Sequence, residues 1–508
     1  MATNHHDTAF FGHPRGLSTL FFTEMWERFS YYGMRAILIL FMVAPVATGG
    51  LGWDTAKAGA IYGTYTALVY LLALPGGWIA DRILGLRRSI FFGGVVIMTG
   101  HILLAVPGSA AFFYLGLLCV VIGTGLLKPN ISALVGQLYG EGDVRRDAGF
   151  SIYYMGINLG AFLSPLVCGW LAQHEAFQGI LRGWGISPES SWHWGFGAAA
   201  VGMFLGLVQY TLGGRFLGEH GLTAMGAGSD DEQSATRRKF WIGLLGVLGI
   251  AAVLAYLANR GVLQFTPELI GTVFGWLLGV VVVGFFAWLF MASNWTPEER
   301  KRLIVIAVLF FGAAVFWSAF EQAGSTLNLF ADRSTRTSIF GFGFPASWFQ
   351  SVNSLFIILL APVFAALWVK LGSRDPSSPT KFAVGLFFLG AGFAVMIGAA
   401  VAARNGVQVS PMWLIITYLL HTIGELWLSP VGLSAMTKLA PARVTGLMMG
   451  VWFLASSVGN YIGGQISGLY ESFSREAIFS AVAGYSILAG VIMALLIGPI
   501  KRMMARAN

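Results

Sequence analysis

Glu24-Met25-Trp26-Glu27-Arg28-Phe29-Ser30-Tyr31-Tyr32-Gly33, with Arg35 just beyond, interrupts an otherwise apolar run from about Leu17 to Val46. On a helix, positions 24, 27, 28, 31, 32 and 35 share one face, so two carboxylates, two guanidiniums and two phenols form a stripe. A charged side chain at the bilayer centre costs about 2.5–3.5 kcal/mol even on insertion scales, so this stripe cannot face lipid. It must look onto water, a substrate or other charges inside a bundle, and the rest of the chain reads as its container.

The composition agrees. Of 508 residues, 56% are hydrophobic and 11% charged, with a mean hydropathy of +0.72, whereas soluble domains carry about 25% charged residues. This is a polytopic all-α membrane protein. The net charge of +8 comes from Lys and Arg in short clusters between apolar runs, the pattern of a cytoplasmic membrane face rather than of a nucleic-acid partner. Cys119 and Cys168 sit in apolar runs and form neither a disulfide framework nor a metal site. Met1 to Gly16 lacks the pattern of a cleavable leader, so the first span is expected to stay.

Runs long enough to cross a hydrocarbon core of about 30 Å lie near 17–46, 56–80, 89–107, 111–139, 148–173, 194–214, 240–258 and 267–292. Six more, near 302–330, 346–370, 381–403, 411–437, 444–470 and 477–499, bring the total to about fourteen. Alternate loops hold the cations, among them Arg15, Arg82, Arg87, Arg88, Arg145, Arg146, Arg237, Arg238, Lys239, Arg443, Lys501 and Arg506. That set is read as cytoplasmic, with both termini on the same side. The expected layout is an N-terminal six-helix bundle (1–214), a cytoplasmic linker (215–239) with Gly226 to Asp231 at its polar centre, two inserted transmembrane helices (240–300) and a C-terminal six-helix bundle (301–508). The inserted pair reads as a lipid-facing appendage.

Other polar residues lie within apolar runs. Lys128 is too deep to snorkel, and Pro129 beside it predicts a kink that presents the ammonium to the cavity. Glu425, followed by Pro430, repeats the arrangement with opposite sign. Tyr154 and Asn158 share a face, as do Trp317 and Glu321; Asp332 and Arg333 lie toward the outer end of the seventh span. Taken alone, Asn158 reads as interhelical glue, and Trp317, Trp452, Phe453 and Ser456 as packing.

Gly77 to Arg88, GWIADRILGLRR, resembles the G-x-x-x-D-R-x-G-R-R cytoplasmic loop of the major facilitator superfamily, with one extra residue on each side of Gly85. Glu24-x-x-Glu27-Arg28-Phe29-x-Tyr31-Tyr32-Gly33, Tyr154-x-x-Ile157-Asn158-x-Gly160, Phe320-Glu321-Gln322 and Glu425 together resemble the proton-coupled oligopeptide transporter family, over nearly the whole chain. The resemblance implies a major facilitator fold importing di- and tripeptides with protons. It implies that Arg28, Tyr32 and Lys128 hold the peptide carboxylate, and Asn158, Asn353 and Glu425 the amine. Tyr31, Tyr70, Trp317, Trp452, Phe453 and Ser456 would line side-chain pockets, while Glu24, Glu27, Arg28 and Glu321 would take part in proton coupling. Animal members carry a histidine where this chain has Gly63, and a large extracellular domain where only Arg404 to Ser410 intervenes here. Both departures, with the inserted pair, resemble bacterial members and imply the inner membrane.

Elementary chemistry points the same way. A dipeptide is a zwitterion whose ends lie about 6–7 Å apart at 3.3–3.6 Å per residue, so its site needs cations and anions on opposite walls. Arg28 and Lys128 belong to the first half, Glu321 and Glu425 to the second. Two gates are expected from facing charges, Lys128 with Glu425 on the cytoplasmic side and Arg35 with Asp332 outside. The expected partners are peptides, protons and lipid, with no metal, cofactor or enzymatic centre and a functional monomer. The competing readings are a proton-coupled drug or anion transporter, a peptide sensor that does not transport, and a membrane enzyme or proton-pumping subunit. His101 and His421 are isolated, which disfavours the last.

Overall fold

The computed structural model describes residues 7–505 apart from 141, 225–229, 292–294, 442–443 and 445–446. Gly226, Arg443 and Arg506 of the preceding section lie outside the described residues. The first half contains α1 (Gly16–Val43), α2 (Thr55–Leu71), α3 (Ala73–Ile79), α4 (Leu86–Leu104), α5 (Ala110–Gln137), α6 (Arg146–Gln173), α7 (Glu175–Gly183) and α8 (Ser191–Gly213). Next come α9 (Asp230–Asn259) and α10 (Pro267–Met291). The second half contains α11 (Pro297–Phe320), α12 (Thr326–Ser334), α13 (Gln350–Leu371), α14 (Ser378–Ala402), α15 (Met412–Leu439), α16 (Met448–Gly468) and α17 (Arg475–Ala505).

Among the described residues, twelve helical stretches are long and apolar enough to cross a membrane. At 1.5 Å per residue, the 28 residues of α1 and the 21 of α16 also match a core of about 30 Å. The twelve plus these two make the expected fourteen; α1 carries four charges, and α16 is diluted by Gly, Ser and Asn.

Local chemistry sets many boundaries. Asp54 and Ser109 cap α2 and α5, and Thr296 with Glu299 forms a capping box ahead of Pro297 on α11. Pro45 follows the end of α1, where a continuing helix would need its missing N–H.

Three expectations are corrected. The second span is a composite of α2, α3 and a wide turn at Ala80–Leu84. The linker is shorter than 215–239, because α9 already begins at Asp230 and takes in Arg237, Arg238 and Lys239. Both α5 and α15 run through Pro129 and Pro430 as continuous helix, which a proline bend permits. The seventh span does break, at Glu321–Gly324, so α11 and α12 are separate helices. The carbonyls freed there are satisfied by side chains from elsewhere: Arg35 donates to Glu321 O (3.3 Å), and Gln350 Nε2 donates to Ala323 O.

The halves meet at the end that holds the C-termini of α1, α6 and α16 and the N-termini of α2 and α13. Asn328 Nδ2 donates to Ala36 O (2.8 Å), Trp348 Nε1 to Leu166 O (3.0 Å) and Ser351 Oγ to Phe162 O (2.7 Å). Along the same seam α2 and α16 pack glycine on glycine. A Cβ at Gly59 would lie 2.5 Å from Gly468 N, and one at Gly63 would lie 2.9 Å from Gly464 Cα. This end of the bundle is closed. Position 63 therefore has no room for a histidine in this packing. Gly63→Ala should shift the closed-to-open ratio of this end by about tenfold, since overpacking against backbone costs about 1–3 kcal/mol. Spin-label distances across the seam would measure it, and an unchanged distribution would refute the close fit.

At the opposite end a clasp ties down the N-terminal segment. Arg145 Nη1 donates to Asp7 O and Gly12 O (3.3 Å each), and its guanidinium pairs with Asp143 at 2.8 Å. His13 Nδ1 shares a 2.9 Å hydrogen bond with the Tyr139 hydroxyl. Burial, then the Arg145 charge, pushes the His13 pKa below its ordinary value, with Asp143 opposing. A lowered folded pKa makes the clasp fully stable above the ordinary value of about 6.5, and it weakens as pH falls through the folded one. Hydrogen exchange of residues 10–16, corrected for intrinsic rates, should thus quicken between about pH 7.5 and about pH 5.5. His13→Gln should lose that dependence.

Candidate functional site

The charged stripe of α1 is buried and paired. Arg28 pairs with Glu24 (3.0 Å) and with Glu27, and all three side chains are at most 3% exposed. The pairing explains how the stripe is tolerated, since buried charges persist only when compensated. Close packing holds it in place. Gly160 of α6 lies against α1, where a Cβ would fall 3.0 Å from Phe29 N and 3.1 Å from Arg28 Cβ. The glycine of the Tyr154–Gly160 motif is thus required by contact with the very turn that carries Arg28.

Lys128 of α5 projects beside this cluster. Its ammonium sits 3.9 Å from the Tyr70 ring centroid and 5.9 Å from that of Phe453 on α16, so it already touches both halves. Among the described residues no carboxylate lies within ion-pair distance of it, and the Lys128–Glu425 bridge is not formed in this structure. Glu425 is held instead by Asn353 Nδ2 (3.1 Å), which also reaches Thr422 Oγ1 (2.9 Å). The amide orients the carboxylate from the same wall.

The expected pair of Arg35 with Asp332 is corrected. Arg35 forms its ion pair with Glu321, and its Nε donates to the Tyr62 hydroxyl (2.7 Å). Glu321 sits at the break between α11 and α12, which brings its carboxylate and main-chain oxygen to one guanidinium. Asp332, beyond the break, is exposed, and its neighbour Arg333 pairs with Glu471 at 2.9 Å.

The aromatic residues line the same region. Tyr31 and Tyr32 pack edge to face at 5.2 Å, and Trp317 meets Trp452 across the α11–α16 contact at 6.2 Å. Ser456 Oγ donates to Trp452 O, and Asn158 Nδ2 to Tyr154 O, so both groups are held by their own helices. Tyr32 lies beside Arg35, whose guanidinium is 5.8 Å from its ring centroid. Sequence reading missed Tyr62, Thr422 and Asn328. Tyr62 and Thr422 occupy polar positions inside apolar runs, a usable signal, but their partners are distant in sequence.

Two packed helical halves, with buried opposite charges contributed by each, define a multi-pass secondary transporter. The family model described as PTR2, POT family, matches residues 87–483. The chain belongs to the POT family. It is 42% identical over 511 residues to a Yersinia enterocolitica protein called peptide transporter YePEPT, covering 97% of this chain and 96% of that one. It is 38% identical to a di-/tripeptide transporter of Lactococcus lactis subsp. cremoris, covering 99% and 98%. Among solved structures, a peptide transporter POT in complex with sulfate superimposes with a TM-score of 0.89 at 44% identity, covering 97% and 96%.

Proposed function

We propose that this protein is a symporter that imports di- and tripeptides with protons by alternating access in a bacterial inner membrane, with both termini cytoplasmic. The observation that carries the reading is the division of buried charge between the halves: Arg28 and Lys128 come from one, Glu425 held by Asn353 from the other. Peptides differ in side chains but share their ends, so charge clamps set among roomy aromatic pockets accept many sequences. The peptide carboxylate binds toward Arg28, Tyr32 and Lys128, and the amine toward Glu425, Asn158 and Asn353. Relatives named as di- and tripeptide transporters support the substrate class.

In this orientation the closed end is periplasmic. The Arg35–Glu321 pair closes that end. A proton on Glu321 cancels the charge that holds Arg35, and Glu24 and Glu27 bear the same relation to Arg28. When the periplasmic end opens, Lys128 approaches Glu425 and closes the cytoplasmic end. A membrane potential of 100 mV supplies about 2.3 kcal/mol per proton, enough for nearly fiftyfold accumulation of a neutral substrate.

Uptake of labelled dialanine into proteoliposomes, with and without an inward proton gradient, tests substrate and energy source together. Gradient-dependent accumulation is expected. Binding without accumulation would indicate a sensor, and no binding would favour a drug or anion transporter.

A further inference from the structure

The inserted helices differ in their surroundings. Gly243, Gly246 and Gly249 of α9 have open space around them, as expected of a helix bathed in lipid. The neighbouring α10 does not fit the appendage reading, because it lies across the seam between the halves. On the C-terminal half it makes directed contacts: Tyr461 Oη of α16 donates to Gly271 O (3.0 Å), Phe274 packs on Tyr461 (5.7 Å) and Phe286 on Phe310 of α11 (5.0 Å). Gly275 sits under the Tyr461 ring, where a Cβ would fall 2.8 Å from a ring carbon.

Against the N-terminal half it packs along α2 over more of its length, but with no polar bond among the described residues. A Cβ at Gly271 would lie 3.4 Å from Ala60 Cβ and 3.5 Å from Thr64 Oγ1, both on α2. Beside that contact a cavity of about 370 Å³ separates α10 from α2 and α5, between Ile270, Phe265, Ile61, Leu68 and Leu117. Thr64 Oγ1 and Gln465 Nε2 are buried at the junction without a hydrogen-bond partner among the described residues. The α2 contact is thus the broader one, but it is packing without polar bonds beside a void, whereas α10 is hydrogen-bonded to α16 and ends at Met291, six residues before α11 begins at Pro297.

The touching residues of α2, Ala60 and Thr64, adjoin Gly59 and Gly63, which meet Gly468 and Gly464 of α16 at the closed end. We propose that α10 is an external clamp: it travels with the C-terminal half, leans on α2 only while this end is closed, and must part from α2 in every transport cycle. It therefore biases the protein toward the inward-facing state. The inference rests on the alternating-access reading above.

Three ties in a background lacking Cys119 and Cys168 separate the possibilities. Ala60→Cys with Gly271→Cys places two Cβ atoms at disulfide distance between α2 and α10. Gly275→Cys with Tyr461→Cys, bridged by a short bis-methanethiosulfonate that forms a disulfide with each thiol and releases methanesulfinate, ties α10 to α16. Ala56→Cys with Gly468→Cys ties α2 directly to α16, since a Cβ at Gly468 would lie 3.5 Å from Ala56 Cα. Peptide uptake by each reduced protein verifies folding. The α2–α10 and α2–α16 ties should lower uptake about tenfold or more, reversibly with reductant, while the α10–α16 tie leaves it within about twofold. If the direct α2–α16 tie spares uptake, alternating access across this seam is wrong. If it arrests uptake but the α2–α10 tie does not, or if the α10–α16 tie also arrests it, the clamp is wrong.

Discussion

Arg35→Ala should abolish concentrative peptide uptake while leaving the protein folded. The guanidinium has three partners: the Glu321 carboxylate, the Glu321 main-chain oxygen and the Tyr62 hydroxyl. Removing one member of a buried pair typically costs about 3–5 kcal/mol, because the remaining charge is left uncompensated. Here much of that cost falls on the closed end, since Arg35 belongs to the first half and Glu321 to the second. An effect of that size changes the ratio of closed to open states by about a hundredfold to several thousandfold. Spin-label distances should show that end open, and counterflow exchange of peptide for peptide should outlast gradient-driven uptake. Arg35→Lys keeps the charge but loses the fork that spans carboxylate, carbonyl and phenol, so it should rescue only in part. Uptake unchanged in Arg35→Ala would remove the pair from the transport cycle.

Glu425→Gln should weaken dialanine binding by about 1.5–3 kcal/mol, the range of a hydrogen bond to a charged group, or roughly ten- to a hundredfold. The substitution keeps the shape and leaves Asn353 and Thr422 able to bond each other, so the loss reports the charge offered to the peptide amine. Acetyl-Ala-Ala-amide should inhibit poorly against the unaltered protein, because both clamps then meet neutral groups. Ala-Ala and Ala-Phe should compete with similar affinity. If the capped peptide inhibits as well as free dialanine, the zwitterion clamp fails and a general drug-binding cavity becomes the better reading.

These two regions also mark what sequence reading reaches and where it stops. Burial in a membrane makes ionisable residues conspicuous, because each must be paired or face a cavity. That constraint is visible residue by residue, so Glu24, Glu27, Arg28, Arg35, Lys128, Glu321 and Glu425 were all legible as candidates. Helix periodicity further placed Glu24, Glu27 and Arg28 on one face, and the structure pairs them. The number of spans followed from length and hydropathy alone.

Partner choice between halves was a different problem. Nothing local distinguishes Glu321 from Asp332 as the mate of Arg35, since both are acids near the outer end of one apolar run. The break after Phe320 decides it by turning Glu321 inward, and the break itself depends on Gln350 and Arg35 accepting the role of lost helical donors. The same holds for Gly63, whose missing side chain is explained only by Gly464, and for α10, whose hydropathy resembles that of α9 while its neighbours do not. Composition and periodicity therefore determined which residues enter the membrane, which carry charge there and how many helices cross. Tertiary packing alone decided which charges meet and which glycines let helices touch, because those choices depend on residues hundreds of positions apart.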